Sequence, residues 1–504
     1  MRQRGWLWAL IGLGGLAVGL GAARGFYVLW LDRQVEQAGA EIAAGRFEAA
    51  RERLRRIARA RPSAEGVAYN LGLCEHRLGN TEAALAAWGR IAPGTELAAR
   101  AAIARAWIWF ERGHYAEAER VLTAVLESPQ SGPEAAMVRE LLVVLYRTEG
   151  RSSEIRPLLE WVWTLVIQAG SDPRWEVVSR PLDLLRQYAT VDLEPIPSES
   201  RRRTLAEAEQ RVPEDDRVQL GLARLALSEG RYAEAERRLR GCEARRPADP
   251  AVAQAWLDWG LATGDSARAQ AALGRLPDGW LDPAEVLALR AWFARQRKDF
   301  AAEQQALEQL AERDPGRTAT LERLAELAVR AGEEPKARAL RARKAEIDAI
   351  KDRYKAIYFR ADVPTQAATL AGWAEALGRR FEARAWWTLL VLARPSDRAA
   401  RENLARLARP QGEPPGLTLS DLRAELARWA GAPSKAAEPT ADAAGEFQFR
   451  DEAEVAGLCF RFDNGQTPQR QLPETMGGGI GLLDYDGDGW LDVYAVQGGR
   501  LVPE

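Results

Sequence analysis

The most constraining feature of this chain is a short phrase that returns at an interval of 34 residues. Each copy begins at a loop position, usually glycine, and continues into a stretch rich in alanine and glutamate. The loop positions are Gly45, Gly79 and Gly113 in a first series, then Gly230, Gly264, Lys298 and Gly332 in a second, with a further copy at Gly378. Self-similarity at one period predicts an array of stacked units, because a unit of that size cannot bury its own hydrophobic face alone.

Within each copy, small and large apolar residues follow the loop at helical spacing. An alanine stands five positions after the loop residue, at Ala50, Ala84, Ala118, Ala235, Ala269, Ala337 and Ala383. One helical turn further, on the same face, stands a bulky residue: Leu54, Trp88, Leu122, Leu239, Leu273, Leu307 or Trp387. In four copies a proline 17 positions beyond the loop ends the second helix, at Pro62, Pro247, Pro315 and Pro395. The pattern predicts helical hairpins that meet along a seam of small and large residues.

This period and this seam resemble tetratricopeptide repeats. The resemblance implies a mainly α fold, an α-solenoid whose concave face binds segments of other proteins. We assign a first block of repeats to residues 34–150 and a second block to residues 213–410. Three departures predict less regular packing in the second block: Lys298 at the loop position, Glu303 at the small position and Arg341 at a bulky position.

Between the two blocks, residues 151–212 lose the period. We expect degenerate helical hairpins there rather than a separate domain. The apolar run Leu158–Ala169 contains Glu160 and is too short to span a bilayer, so it predicts a buried core helix rather than a membrane helix. The stretch Asp192–Ser200 contains two prolines and predicts a loop.

The N-terminal segment, residues 1–33, predicts a transmembrane anchor. Residues 5–23 carry no charge, and this run is just long enough to cross the hydrocarbon core of a bilayer. A cleaved signal peptide is the alternative, because Arg2 and Arg4 form a basic start and Ala22-Ala23 is small enough for a peptidase. The apolar run resumes beyond that point, which favours an uncleaved anchor in the inner membrane. The basic start then lies in the cytoplasm, and the rest is periplasmic or extracellular.

After the repeats, residues 411–445 become rich in proline, glycine and alanine, which predicts a linker. It contains one amphipathic stretch, Ser420–Trp429, that predicts a short helix capped by Ser420. From residue 446 onward, alternating apolar residues and tight turns predict short strands.

An acidic loop near the C-terminus predicts a calcium site. Asp484, Asp486, Asp488 and Asp492 stand at loop positions 1, 3, 5 and 9, with a glycine at position 6. Alternate carboxylates on a tightly wound loop can surround a hard cation, and Trp490 would add its backbone carbonyl oxygen. An EF-hand is disfavoured because position 12 is an alanine and because the following residues predict a strand.

The segment around this loop resembles the start of cartilage-acidic-protein-like FG-GAP/VCBS β-propellers. The resemblance rests on Leu472–Gly479 and on the acidic loop through Tyr494. It implies an extracellular, calcium-binding propeller occupying residues 446–504. Propellers need several blades, so a chain that ends at Glu504 is expected to hold only a truncated fragment.

Composition and motifs disfavour other classes of protein. The formal net charge is −2, so no global field points to nucleic acid. The three cysteines and two histidines show no metal-ligand spacing, and no nucleophile elbow, zinc-protease motif or phosphate loop is present. We therefore expect a non-enzymatic, membrane-anchored scaffold for protein–protein interaction, and the alternative is a calcium-dependent adhesion or ligand-binding protein.

Overall fold

A computed structural model describes residues 30–95, 97–127, 132–170, 180–191, 198–360, 362–408, 417–431, 460, 479–483 and 492–496. The chain divides into two compact units, Met1–Ala432 and Pro433–Glu504. The described part of the first unit is almost entirely helical, whereas the second contributes one pair of strands.

The helices of the first unit follow one another as antiparallel pairs in most of the repeats. They are α1 (30–43), α2 (Phe47–Ala60), α3 (Glu65–Arg77), α4 (Thr81–Trp88), α5 (Ala98–Glu111), α6 (Tyr115–Leu126), α7 (Pro133–Glu149), α8 (Ser152–Ala169), α9 (Pro181–Ala189), α10 (Ser198–Arg211), α11 (Asp216–Ser228), α12 (Tyr232–Arg245), α13 (Pro250–Thr263), α14 (Ser266–Leu273), α15 (Pro283–Gln296), α16 (Phe300–Arg313), α17 (Thr318–Arg330), α18 (Glu334–Tyr358), α19 (Val363–Ala376), α20 (Arg380–Ala393), α21 (Arg398–Ala408) and α22 (Leu419–Gly431).

The seam predicted from the repeats is confirmed. All seven alanines of the seam are fully buried, and each bulky partner one turn later is buried as well. The loop glycines adopt positive φ, which lets the chain reverse between the two helices of a pair. At Lys298 the same turn forms with φ 59, the only positive φ of a non-glycine residue in the described chain. The turn at Lys298 therefore keeps the backbone conformation that the loop glycines adopt.

The inserted helices α8–α10 do not interrupt the stack, because α11 packs directly on α6 and α7. The backbone N–H of Ala116 donates to Asp215 Oδ2 at 3.0 Å, which ties the start of α6 to the start of α11. A Cβ at Gly221 would lie 3.3 Å from the Cα of Glu149, so α11 and α7 approach closely at this point. The second block thus stacks on the first through the contacts of α11 with α6 and α7. Helices α8 and α9 take no part in those contacts.

Helix α18 is unusually long and packs into two different hydrophobic clusters. It has 25 residues, compared with 14 in α12, α16 and α20. Its first part places Ala337 against α17, and its last turns place Tyr354 and Tyr358 in a core shared with α8, α9, α19 and α20. The extra turns carry the last repeat away from the expected position in the stack. That repeat packs on α8 and α9 instead.

Helix α22 also folds back onto earlier repeats. Leu422 and Leu426 are buried in the core of α11–α15, and Glu425 accepts from Arg290 of α15 at 3.0 and 3.1 Å. The helix predicted within the linker is confirmed, and it lies in the first compact unit. Its cap is Thr418 rather than Ser420, because the Thr418 hydroxyl accepts the backbone N–H of Asp421 at 3.1 Å.

Other predictions for the first unit have mixed outcomes. The run Leu158–Ala169 lies within the core helix α8, as predicted. Cys74 and Cys242 are buried core residues. Of the predicted loop Asp192–Ser200, the residues from Ser198 onward are helical, since they form the first turn of α10. In the described part of the chain, no helix combines the length and apolar character needed to cross a bilayer, and residues 5–23 lie outside that part.

The second unit contains an antiparallel hairpin of β1 (Ile480–Leu483) and β2 (Asp492–Ala495). Ile480 pairs with Ala495, and Leu483 pairs with Asp492. The predicted strands on both sides of the acidic loop are therefore present. A propeller is not evident in the described residues of this unit.

A candidate binding cleft between distant repeats

The return of the last repeat forms a cleft with a volume of about 780 Å³. Its walls come from six separate stretches of the first unit, most of them loops and helix ends. The lining residues are Arg156, Tyr188, Asp282, Pro283, Ala284, Arg313, Asp314, Gly316, Arg317, Lys351, Leu377, Gly378, Arg379, Arg380, Phe381 and Glu382. We call this site the basic cleft.

Two glycines bring the loops at the floor of the basic cleft into contact. A Cβ at Gly316 would lie 2.6 Å from the carbonyl oxygen of Leu377, which no side chain could tolerate. Gly378 has φ +74, and a Cβ there would lie 2.7 Å from Pro315. Close approach of these two loops therefore depends on the absence of side chains at both positions. Because α18 is long, the α19–α20 loop reaches the level of the α16–α17 loop.

The basic cleft carries an excess of positive charge. Six lining residues are cationic and three are acidic. Two of the acids are already engaged within the fold. Glu382 accepts from Arg379 at 2.8 Å, and Asp282 accepts the backbone N–H of Glu285 at 2.8 Å in the capping box that starts α15. Burial raises the pKa of the third, Asp314, although the nearby Arg317 opposes that rise. The lining cations therefore outnumber the lining acids.

One wall of the basic cleft is aromatic and rigidly held. The rings of Tyr188 and Phe381 lie 4.5 Å apart, which joins α9 to α20. The hydroxyl of Tyr188 donates to Glu160 at 2.8 Å. Behind the cleft, Tyr354 donates to Glu382 and accepts from Trp386 at 3.1 Å. Burial and the charge of Glu382 raise the pKa of Tyr354 well above its ordinary value, so it stays protonated and can keep donating.

A buried ionic network holds the inserted helices against the repeats. The Arg151 guanidinium, almost fully buried, contacts Glu119 of α6 at 2.7 Å, Glu149 of α7 at 2.9 Å and Glu154 of α8 at 2.6 Å. Glu119 also pairs with Arg217 of α11, which reaches Asp249 of α13 at 2.6 Å. Five helices and their caps therefore share one network, and buried groups of this kind favour one arrangement only when every partner is present.

Protonation within this network is uneven. Burial alone would raise the pKa of Glu119, but Arg151 and Arg217 hold it below the ordinary value. Burial raises the pKa of Glu149 to about 8 despite the opposing charge of Arg151. One oxygen of Glu149, Oε1, has no hydrogen-bond partner among the described residues. Glu149 is therefore the least compensated carboxyl group of the network.

The residues predicted to bind calcium are only partly placed. Asp484, Asp486, Asp488 and Trp490 lie outside the described residues. Asp492 begins β2, and its backbone pairs with Leu483. The hairpin register brings the two ends of the loop together. Among the described residues no cluster of three or more acidic, histidine or cysteine side chains forms a metal site.

The basic cleft was not anticipated from the sequence, although one signal pointed to it. The interval from Gly332 to Gly378 is 46 residues rather than 34, and the added length is the extension of α18. If the added residues are assigned to a longer helix, the last repeat is predicted to leave its regular position in the stack. The residues of α8 and α9 that contact the last repeat follow no period. Their contacts with that repeat could therefore not be predicted from the sequence.

The lining of the cleft suits an anionic ligand, because most of its charged side chains are cationic. Its volume falls in the range of ordinary ligand sites, and its cations are spread along several loops. Complementary charge across such a surface favours rapid and selective association. Flexible arginine side chains suit carboxylates well because a guanidinium can donate two parallel hydrogen bonds.

Comparisons with known proteins support the assignment of the repeats. Tetratricopeptide repeat models match residues 35–102 and 202–257. The chain therefore contains tetratricopeptide repeats, and its described part is a mainly α, solenoid-like protein. Repeats of this kind generally serve as non-enzymatic scaffolds, and no enzyme family matched. No curated protein matched the chain.

Several solved structures align with this chain at low sequence identity and low TM-score. The APC/C hetero-tetramer Cut9-Hcn1 shares 12% identity over 75% of this chain and 89% of that chain, with a TM-score of 0.27. Yeast Tom70 shares 10% identity over 68% and 98%, with a TM-score of 0.24. A repeat protein from Parabacteroides merdae shares 16% identity over 59% and 98%, with a TM-score of 0.22. TM-scores this low do not establish a common arrangement of helices, so the repeats themselves carry the assignment.

Proposed function

We propose that this protein is a membrane-anchored scaffold whose repeats hold an acidic segment of a partner protein in the basic cleft. The observation that carries the proposal is the excess of cations in a cleft that forms only because the last repeat returns to α9. Stacked helical hairpins commonly present such extended surfaces to partners. The acidic side chains of the ligand would pair with Arg317, Lys351 and their neighbours.

Selection from a library of displayed 12-residue peptides tests this binding role. The wild-type chain should enrich acidic sequences, and the selected peptides should bind the double variant Arg317→Gln/Lys351→Gln at least about ten-fold more weakly. The matched control is Arg203→Gln/Arg240→Gln, which removes two exposed arginines outside the cleft. Enrichment without acidic character, or equal binding to both double variants, would contradict the proposed role of the cleft.

Membrane anchoring and export form a separate part of the proposal. Support comes from the uncharged run at residues 5–23 and from the basic residues that precede it. The repeats would then lie in the periplasm or outside the cell. Alkaline carbonate extraction should leave the full chain in the membrane fraction, and protease added to spheroplasts should digest the repeats. Release of the chain by carbonate, or full protection of the repeats, would contradict this arrangement.

Calcium-dependent ligand binding is the second candidate function. One observation favours it: the hairpin of β1 and β2 joins the two ends of the acidic loop, as a compact cation loop requires. Isothermal titration of calcium into the full chain should show one site that Asp484→Ala/Asp488→Ala removes. An unchanged titration in that variant would contradict the assignment of the loop.

A further inference from the structure

A second cationic surface lies in the repeat formed by α15–α18, apart from the basic cleft. It is a groove with a volume of about 630 Å³. Its lining residues are Arg295, Lys298, Phe300, Arg323, Glu326, Val329, Arg330 and Arg341. Five of the eight are cationic and one is acidic. We call this surface the α17 groove.

The α17 groove arises where the sequence departs from the repeat pattern. Lys298 replaces the loop glycine and places a cation at the turn between α15 and α16. Glu303 replaces the small seam residue, is buried, and binds Arg323 of α17 through two hydrogen bonds of 2.7 and 3.1 Å. Arg341 replaces a bulky residue and remains half exposed, 3.7 Å from Glu322. Two of the three departures, Lys298 and Arg341, therefore line this groove, and the third, Glu303, binds the lining residue Arg323.

The positive charge of the α17 groove is only partly neutralised. Arg323 is satisfied by Glu303 and Glu326. Arg295 and Lys298 make no ion pair with any residue that the structure describes. Their charges are consequently available to a ligand. The single acidic lining residue, Glu326, is already engaged by Arg323.

The α17 groove also exposes apolar surface beside those cations. Phe300 is 41% exposed and Val329 is 38% exposed, although both are large apolar residues on helices. The guanidinium of Arg330 lies 4.7 Å from the centre of the Phe300 ring. Arginine and phenylalanine in this arrangement can accept a further aromatic ring, which would stack on the guanidinium or pack edge-to-face on Phe300.

We propose that the α17 groove binds a short segment of a partner protein in which carboxylates flank one aromatic side chain. The carboxylates would pair with Arg295 and Lys298, and the aromatic ring would cover Phe300 and Val329. Charge complementarity selects this occupant over a basic or purely apolar segment. The inference is independent of the basic cleft, since the two sites share no lining residue.

Fluorescence anisotropy with the full chain in a non-ionic detergent tests the proposal. The probe is a fluorescein-labelled peptide of sequence GEDFDEG, compared with GEDADEG and GQNFNQG. The labelled peptide should bind the wild-type chain, and each comparison peptide should bind at least about five-fold more weakly. Binding should also weaken as salt is raised, because exposed charge pairs are screened. Equal binding of GEDFDEG and GEDADEG, or no binding at millimolar peptide, would overturn the proposal.

Variants locate the binding. Arg295→Gln/Lys298→Gly removes both available cations while giving the left-handed turn the residue that it prefers, and it should weaken binding at least about ten-fold. Phe300→Ala should weaken it about five-fold, whereas Tyr232→Ala, which removes an equally exposed ring at the matching position of another repeat, should leave it unchanged. These variants are compared in the Arg317→Gln/Lys351→Gln background, so that the basic cleft does not contribute to the measured binding. Equal losses in Phe300→Ala and Tyr232→Ala, or no loss in Arg295→Gln/Lys298→Gly, would overturn the assignment.

Discussion

The hydroxyl of Tyr358 donates a hydrogen bond of 2.6 Å to the backbone carbonyl oxygen of Leu185, 173 residues earlier in the chain. Both groups are buried. Tyr358 ends the long helix α18, and Leu185 lies in α9, so this one bond joins the end of α18 to the inserted helices. It marks the contact through which the basic cleft is formed.

Removing the Tyr358 hydroxyl should weaken the packing of the last repeat against α9. Tyr358→Phe leaves the Leu185 carbonyl oxygen buried without its partner, which costs about 1–3 kcal/mol of unfolding free energy. Urea unfolding followed by circular dichroism measures this loss, and hydrogen exchange should quicken in α9 and α19. Tyr232→Phe is the matched control, because that ring is largely exposed. Equal stability of the two variants would show that the Tyr358 bond contributes nothing.

The alanine seam should resist enlargement. Ala235 is fully buried where α12 meets its partner helix, so Ala235→Leu should lower the free energy of unfolding by about 1–3 kcal/mol through overpacking. Ala233 lies on the same helix and is exposed. Ala233→Leu should therefore change stability by less than about 0.5 kcal/mol. Thermal unfolding of both variants compares the two sites directly, and similar losses would argue against the seam.

The loop position should prefer glycine wherever it occurs. Lys298→Gly should raise the free energy of unfolding by up to about 1 kcal/mol, because a side chain at positive φ strains the turn. Gly230→Ala should lower it by a similar amount, since φ is +74 there and nothing lies near enough to clash with the new methyl group. Changes of opposite sign in chemical denaturation are expected. Stabilisation by both substitutions would contradict this account of the turn.

Stability should depend on pH through Glu149. Its pKa is raised from 4.5 to about 8, so the folded protein binds this proton more tightly than the unfolded chain. The contribution is complete below about pH 4.5 and is lost as the pH rises toward 8. The groups that face Glu149 in the network are Glu119, Arg151 and Arg217, and the opposite shift of Glu119 acts at lower pH.

Glu149→Gln isolates this dependence because the amide keeps the size of the side chain and cannot ionise. The variant should flatten the fall in unfolding free energy between about pH 5 and pH 8. Glu48→Gln, at an exposed position on α2, should leave the slope unchanged. Unfolding curves at several pH values provide the comparison. An unaltered slope in Glu149→Gln would mean that the carboxyl group is already ionised in the folded state.

Sequence reasoning succeeded where contacts are local and repeated. The loop glycines, the buried alanines and the bulky partners follow from one period, since each hairpin and its neighbour need the same small-and-large contact. The strands on both sides of the acidic loop were predicted from alternating apolar residues and tight turns, which are also local signals. The ligand roles of Asp484, Asp486, Asp488, Trp490 and Asp492 remain predictions, as does the membrane anchor.

Contacts between distant parts of the chain could not be predicted from the sequence, because they follow no period. The contact between Tyr188 and Phe381 depends on the length of α18. In the sequence, that length is visible only as a longer interval between two aligned repeats. Arginine side chains are mostly exposed in folded proteins, yet Arg151 and Arg217 are buried. Burial of an arginine depends on carboxylates that other helices supply, so the sequence near each arginine does not reveal it.

Site-specific photo-crosslinking tests the return of the last repeat most directly. Phe381 is replaced by p-benzoylphenylalanine in the full chain, and the cross-linked peptides are identified by mass spectrometry after irradiation. The ring of Phe381 lies 4.5 Å from Tyr188 and 5.9 Å from Trp163, so the cross-linked peptides should come from residues 152–191. Cross-links confined to the neighbouring helices α19–α21 would contradict the closure and, with it, the basic cleft.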